Sequence, residues 1–227
     1  MNKTGILIKR NLLFFLGCTL VLVIGLFILL MKGKASSFIL LNTYHAGWLN
    51  NFFISYTFVG NGLFAICLAA VYLLVARKGK EALLIVVSFL LSGIIVQLVK
   101  HLFFSPRPKL FFGEGYHSFF ISGIEFYHNN SFPSGHTTTA FAVATVLILQ
   151  AKDSRYQLPV LIAAVLVGYS RIYLGQHFLA DVLVGALIGI VSGIGCVYVA
   201  EGYSFAKGPL KQFKLKPESP VTLPEPI

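Results

Sequence analysis

Residues 158–200 read LPVLIAAVLVGYSRIYLGQHFLADVLVGALIGIVSGIGCVYVA. Two apolar runs flank a short insert, SRIYLGQHFLAD, which carries Arg171, His177 and Asp181. The runs are continuous rather than alternating at every second residue, the pattern of membrane-spanning helices and not of barrel strands. Ionisable groups near membrane depth are costly and rare, so three of them between two spans call for a chemical reason.

The rest of the chain belongs to the same class. Its 227 residues are 56% hydrophobic and only 11% charged, where soluble domains carry roughly 25% charge; mean hydropathy is +0.80. A span needs about 20 apolar residues, within a range of roughly 17–25. Residues 11–30, 52–76, 82–104, 136–151, 158–173 and 178–200 meet or approach that length, the fourth and fifth falling short. The first run has too long an apolar core, and too poor a cleavage site in the following MKGKASS, for a cleaved leader. The expected fold is therefore all-α: a polytopic membrane protein built as a six-transmembrane-helix bundle. One domain would occupy residues 1–206. Residues 207–227, rich in Pro and Lys and without apolar period, would form a disordered cytoplasmic tail.

Six spans put both ends on one side of the membrane. That side would hold 12 of the 18 lysines and arginines, including Lys9, Arg10, Arg77, Lys78, Lys80 and Arg155, which favours cytoplasmic termini. The formal charge of +10 is then a topology signal and an attraction to anionic membrane lipids, not a nucleic-acid footprint. Cys18, Cys67 and Cys196 are far apart, each within an apolar run, and read as small buried hydrophobes. Residues 32–51 suit an interfacial helix anchored by Tyr44, His45 and Trp48. Gly185, Gly189 and Gly193, four apart in the last span, suit close helix packing within the bundle or a homodimer contact. The only long outer segment is 105–132, with Glu114, His117, Glu125 and His128. Its Asn129-Asn130-Ser131 matches a glycosylation sequon, read here as chance.

The unexplained polar residues converge on the outer face. KHLFFSPRP ends the third span with Lys100 and Arg107, FPSGHTTT opens the fourth with Ser134, Gly135 and His136, and SRIYLGQHFLAD joins the last two. Three cations, Lys100, Arg107 and Arg171, suit a compact, multiply charged anion, because the arginine fork matches phosphate oxygens and lysine adds a point charge. PSGH reads as a turn entering a helix, whose first N–H groups and dipole favour an anion. His177 and Asp181 are four apart and would share a helix face. A carboxylate on one ring nitrogen fixes the tautomer and leaves the other free to attack, and His136 is then available as general acid and base. The same spacing also suits two metal ligands, but no third histidine or cysteine stands in register and the cations would repel a metal.

These motifs resemble the type 2 phosphatidic acid phosphatase family, whose lipid phosphate phosphatases share an active site with vanadium haloperoxidases. Lys100 to Arg107-Pro108, then Pro133-Ser134-Gly135-His136, then Ser170-Arg171 to His177 to Asp181 follow the family's three-part pattern in order, and the resemblance covers residues 52–200. It implies a cofactor-free and metal-free site at the outer membrane interface. Lys100, Arg107, Ser134, Gly135 and Arg171 would hold the phosphoryl group of a phosphorylated lipid. His177 would be the nucleophile, Asp181 its partner, and His136 the acid and base. Substrates it allows include phosphatidic acid, lysophosphatidic acid, phosphatidylglycerol phosphate, undecaprenyl pyrophosphate and lipid A phosphates. Vanadate-dependent halide oxidation and non-catalytic lipid-phosphate binding or transport are the alternatives; the membrane setting disfavours the first and the presence of both histidines and Asp181 the second. A bacterial inner membrane with a periplasmic active site is the expected location, and a eukaryotic internal membrane with a lumenal site stays open.

Overall fold

The computed structural model describes residues 3–113, 120–121, 130–151 and 153–206. Among the described residues it is helical, without strand. A short α1 (Lys3–Arg10) leads into α2 (Leu12–Asn42). Next come α3 (Gly47–Tyr56), α4 (Gly62–Leu74), α5 (Gly79–Leu102) and a five-residue α6 (Pro108–Phe112). The chain ends in α7 (Gly135–Gln150), α8 (Gln157–Tyr173) and α9 (Leu179–Ala206). The loop residues Glu114, His117, Glu125 and His128 and the tail 207–227 lie outside the described residues.

Four helical stretches are long and apolar enough to cross a bilayer: Leu12–Asn42, Gly79–Leu102, Ser154–Tyr173 and Leu179–Gly202. Two further pieces, Gly47–Gly60 and Gly62–Leu74, are long and apolar enough together and are bent by 62° at their junction. The described residues thus supply four or five segments of spanning length where the sequence suggested six. The sixth candidate is α7, whose 16 residues reach only about 24 Å at ~1.5 Å per residue, against a hydrocarbon core of roughly 30 Å. The outward faces are apolar: Leu12, Leu16 and Leu20 on α2, Leu63 and Ile66 on α4, and Leu83, Leu90 and Ile94 on α5 are all exposed. Apolar surface this extensive suits hydrocarbon, not water.

The bend replaces the single span expected over 52–76. Its cause is local: Asn61, between Gly60 and Gly62, leaves helical geometry (φ −77°, ψ 145°) and caps α4 by accepting from the Leu63 N–H. A second departure lies in α2. Gly33 adopts φ 75°, ψ 177°, which divides that helix into a longer part and a shorter part ending at Asn42. The outer segment expected to be one interfacial helix is therefore the top of α2 followed by α3. Asn42 is fully buried there and donates to the carbonyls of Ile172 and Tyr173, both at 2.8 Å, adding a side-chain donor to the acceptors at the C-terminal end of α8. His45 packs against Tyr173 with ring centroids 4.5 Å apart and planes tilted by 50°, which gives that histidine a packing role, while Trp48 is exposed.

α7 is the axle of the bundle. Thr137 through Val146, with Ile148 and Leu149, are buried, sheathed chiefly by α5, α8 and α9. The closest partner is α9, and the three glycines explain why. A Cβ on Gly185 would come within 2.7 Å of the Ser134 carbonyl oxygen; on Gly189, within 2.5 Å of the Thr138 carbonyl oxygen; on Gly193, within 2.7 Å of Thr145 Cβ. Packing within the bundle is their use. The same face is filled by α7 and offers no surface for the homodimer that the spacing had also suggested.

Below the membrane core, the chain clasps itself. Arg10 donates to the Ala151 carbonyl at 2.6 Å, at the C-terminal end of α7, where a cation complements the helix dipole. The Gln157 side chain accepts from the Phe14 N–H at 3.1 Å.

Gly189→Ala is expected to lower stability by about 1–3 kcal/mol, as overpacking does, because the added methyl meets backbone that cannot rotate away. Gly195, whose Cβ would meet nothing within 4 Å, is the control. Thermal unfolding of both variants in detergent checks the contrast; equal melting temperatures would show that the α7–α9 approach is looser than described.

Candidate active site

α8 stops at a glycine. Gly175 takes φ 65°, a left-handed conformation that glycine adopts without strain. The N–H groups of Gln176 and His177 turn back to the Arg171 carbonyl at 3.0 and 3.1 Å. This turn puts His177 beside the end of α8, and α9 starts two residues later. His177 and Asp181 therefore do not share a helical face, as their spacing suggested; His177 precedes the helix and Asp181 sits in its first turn. They meet nonetheless, because Asp181 Oδ2 accepts from the Phe178 N–H at 2.9 Å and so folds back over the helix start, in the manner of a capping carboxylate. His177 Nδ1 lies 3.5 Å from Asp181 Oδ2, and both residues are buried.

The PSGH motif stands alongside. Ser134 is the N-cap of α7, its hydroxyl accepting from Thr137 Oγ1 at 2.9 Å. Its backbone N–H donates to the Asp181 carbonyl at 3.0 Å. The helix starts carrying His136 and Asp181 are thus joined, and a Cβ on Gly135 would meet nothing within 4 Å, which leaves the first turn of α7 open on that side. His136 backs onto the bend between α3 and α4, where its carbonyl oxygen would lie 2.8 Å from a Cβ at Gly60. A cleft of about 190 Å³ opens there, lined by Gly60, Asn61, Gly62, Gly93, Val96, Gln97, Gly135, His136 and Thr139.

The three cations surround these groups, each held by a neutral partner. Lys100, in the last turn of α5, donates to the Asn130 carbonyl at 2.7 Å. Arg107 Nη1 donates to the Gln176 carbonyl and side-chain oxygens at 3.1 and 3.2 Å. Arg171 Nη1 donates to Thr57 Oγ1 at 2.6 Å. The charges of Arg107 and Arg171 reach both histidines, and those of Arg107 and Asp181 reach Lys100. All eight residues singled out in the three motifs thus belong to one neighbourhood. Among the described residues, no three of His, Cys, Asp and Glu gather as a metal-ligand set.

Four supporting residues escaped the sequence reading. Thr57, Asn130 and Gln176 hold the cations, and Ser131 touches both His177 and Asp181. Thr57 had no signal, lying inside an apparently continuous apolar run. Asn130 and Ser131 did have one. The Asn130 side chain accepts from the Ser105 N–H at 2.8 Å and donates to the carbonyls of Lys100 (2.7 Å) and Phe103. The final serine of the apparent sequon is fully buried. Asn129, the acceptor position of that sequon, lies outside the described residues.

Burial is the main influence on the His177 imidazole. Removal from water, reinforced by the charges of Arg171 and Arg107, outweighs the opposing pull of Asp181 and pushes its pKa down to about 4. The ring is then neutral at neutral pH, the form a nucleophile needs.

Comparison with known proteins gives the chain a family. The family model described as the PAP2 superfamily matches residues 81–203. A lipid A 4'-phosphatase of Porphyromonas gingivalis is 32% identical over 127 residues, 54% of this chain and 53% of that protein, so the chain spans about half the length of that relative. An undecaprenyl-diphosphatase of Bacillus subtilis is 26% identical over 152 residues, 66% of this chain and 75% of that protein. The crystal structure of Aquifex aeolicus LpxE superposes with a TM-score of 0.60 at 32% identity, over 73% of this chain and 94% of that one.

A depressed pKa in the folded state means that the unfolded chain binds a proton that the folded chain refuses. Stability should therefore fall as pH drops from about 6.5 toward 4, the ordinary and the buried values of this ring. Melting temperatures in detergent across that range should decline for wild type and less steeply for His177→Gln. Parallel curves would assign the decline to other groups.

Proposed function

The chain belongs to the PAP2 superfamily, and from that premise we propose that it is an integral-membrane lipid phosphatase that hydrolyses a phosphomonoester or pyrophosphate of a lipid through a phosphohistidine. The observation that carries the reading is the buried His177–Asp181 pair set within reach of the Arg107 and Arg171 charges. A neutral imidazole beside fixed cations can attack a phosphorus whose oxygens those cations hold.

The proposed sequence is as follows. Lys100, Arg107 and Arg171, with the Ser134 hydroxyl and the Gly135 amide, bind the phosphoryl oxygens and neutralise charge as it develops. The Nε2 lone pair of His177 forms the P–N bond as the bond from phosphorus to the lipid oxygen breaks. Asp181 orients the ring and balances its positive charge, and His136 gives the leaving oxygen a proton. His136 then takes a proton from water, whose oxygen attacks phosphorus, breaks the P–N bond and releases inorganic phosphate. Protein cations here supply the charge neutralisation that metal ions supply elsewhere, and neither metal nor cofactor takes part in this scheme.

The setting follows from the same reading. In the proposed topology α7 is a sixth crossing, short because other helices enclose it. Both termini are cytoplasmic, and the site faces the periplasm of a bacterial inner membrane. The three motifs address only the phosphoryl group, so the lipid A phosphatase and the undecaprenyl-diphosphatase among the relatives mark the range of lipid phosphates to test.

Phosphate release from a panel of phosphatidic acid, phosphatidylglycerol phosphate, undecaprenyl pyrophosphate and lipid A, with EDTA present, tests the proposal. Turnover should persist in EDTA and disappear in His177→Ala. His136→Ala should retain binding and lose on the order of 10²–10⁴-fold in rate. Release that survives His177→Ala overturns the phosphohistidine route. Folded protein that binds vanadate yet releases phosphate from no lipid points to a binding or transport role.

Replacing Arg171 by Lys keeps the charge and loses the planar fork held against Thr57. That exchange is not conservative at a bidentate site. It should lower kcat/KM by at least tenfold, or about 1.4 kcal/mol, in the same assay; wild-type kinetics would remove Arg171 from the phosphate clamp.

A further inference from the structure

His177 and Asp181 are close without being well bonded to each other. Their nearest atoms, Nδ1 and Oδ2, are 3.5 Å apart, farther than the 3.3 Å that separates Nδ1 from the Ser131 hydroxyl. Ser131 completes the connection. Its Oγ lies 2.5 Å from Asp181 Oδ2 and 3.3 Å from His177 Nδ1, and its side chain is fully buried. Asp181 Oδ2 also receives the Phe178 N–H, so the carboxylate oxygen is held from two sides before His177 reaches it.

Counting hydrogens gives these contacts a direction. An ionised carboxylate only accepts, so at 2.5 Å the Ser131 hydroxyl is the donor, and its single hydrogen is committed there. Toward His177 it presents only lone pairs. The approach to Nδ1 is then a hydrogen bond only if Nδ1 carries the proton. That leaves the lone pair of the neutral ring on Nε2.

We propose that Ser131 is a positioning residue of this site, relaying His177 Nδ1–H to Asp181 through its own hydroxyl and so selecting the tautomer whose Nε2 is free to attack. The proposal rests on the reading of His177 as nucleophile. The segment bearing Ser131 is fixed independently of that pair, since the Ser131 N–H donates to the Ser105 carbonyl at 2.8 Å and Asn130 ties the same strip of chain to the end of α5. The relay thus joins three separate parts of the chain: the segment before PSGH, the turn after α8 and the start of α9.

The test combines kinetics with a direct view of the proton. Protein labelled with ¹⁵N at histidine, with His177→Gln to assign the signal, should show the Nδ1–H pattern at His177 at neutral pH, and Ser131→Ala should abolish or mix it. In phosphate release, Ser131→Ala should lower kcat on the order of 10- to 100-fold, the range for a hydrogen bond to a charged group, with KM little changed. Added to Asp181→Asn, it should cost less than about threefold more, because residues acting as a unit are not additive. Ser131→Thr, which keeps the hydroxyl, should recover the wild-type tautomer. The relay is overturned if Ser131→Ala leaves the His177 tautomer unchanged, or if it costs as much in the Asp181→Asn background as in wild type. A wild type that releases no phosphate overturns the phosphatase reading instead, and the tautomer comparison still decides the relay.

Discussion

The backbone hydrogen bond from the Ser134 N–H to the Asp181 carbonyl, 3.0 Å long, is the constraint from which the site follows. It sets the starts of α7 and α9 side by side, so that two helix N-termini share one corner of the bundle. Such proximity is possible only because α9 presents glycine wherever α7 crosses it, and a methyl at Gly185 would strike the carbonyl of Ser134 itself. Two positive dipole ends and three cationic side chains then favour one anion.

Three positive groups stand close together here, and neutral oxygens take part in fixing each of them. Lys100, Arg107 and Arg171 meet neutral oxygens of Asn130, Gln176 and Thr57. These are acceptors that orient a cation without cancelling its charge. Lys34 shows the same economy at the rim, donating to Ser105 Oγ at 3.0 Å and lying 4.3 Å from the centre of the Phe178 ring, where a π face provides the attraction. Asp181 is the carboxylate of the three motifs, and its Oδ2 accepts from the Ser131 hydroxyl and the Phe178 N–H.

Much of this was legible from residue types and spacing because charge is conspicuous in an apolar chain. Lys100, Arg107, His136, Arg171, His177 and Asp181 stood out against the surrounding hydrocarbon side chains, and the expected alternation of six spans assigned them to one face. What the pattern hid was backbone geometry. Hydropathy runs unbroken through residues 52–76, yet Asn61 between two glycines divides them, since a cap and two flexible neighbours outweigh apolar continuity. Spacing alone likewise suggested a helical His177–Asp181 face; the left-handed turn at Gly175 brings the same residues together by another route. The supporting groups were least visible, because a threonine, a serine, an asparagine and a glutamine carry no charge to betray them. Ser131 was obscured further by a coincidental match to a glycosylation signal.

The clasp beneath the bundle bears on how the protein is made. Arg10 and the Phe14 N–H find their partners in residues 141 and 143 positions further along the chain. During synthesis α2 therefore enters the membrane with this end unfastened, and it stays so until α7 and α8 have followed. α2 is made before the helices that fasten it, so this contact acts as a latch closed late in assembly and not as a foundation.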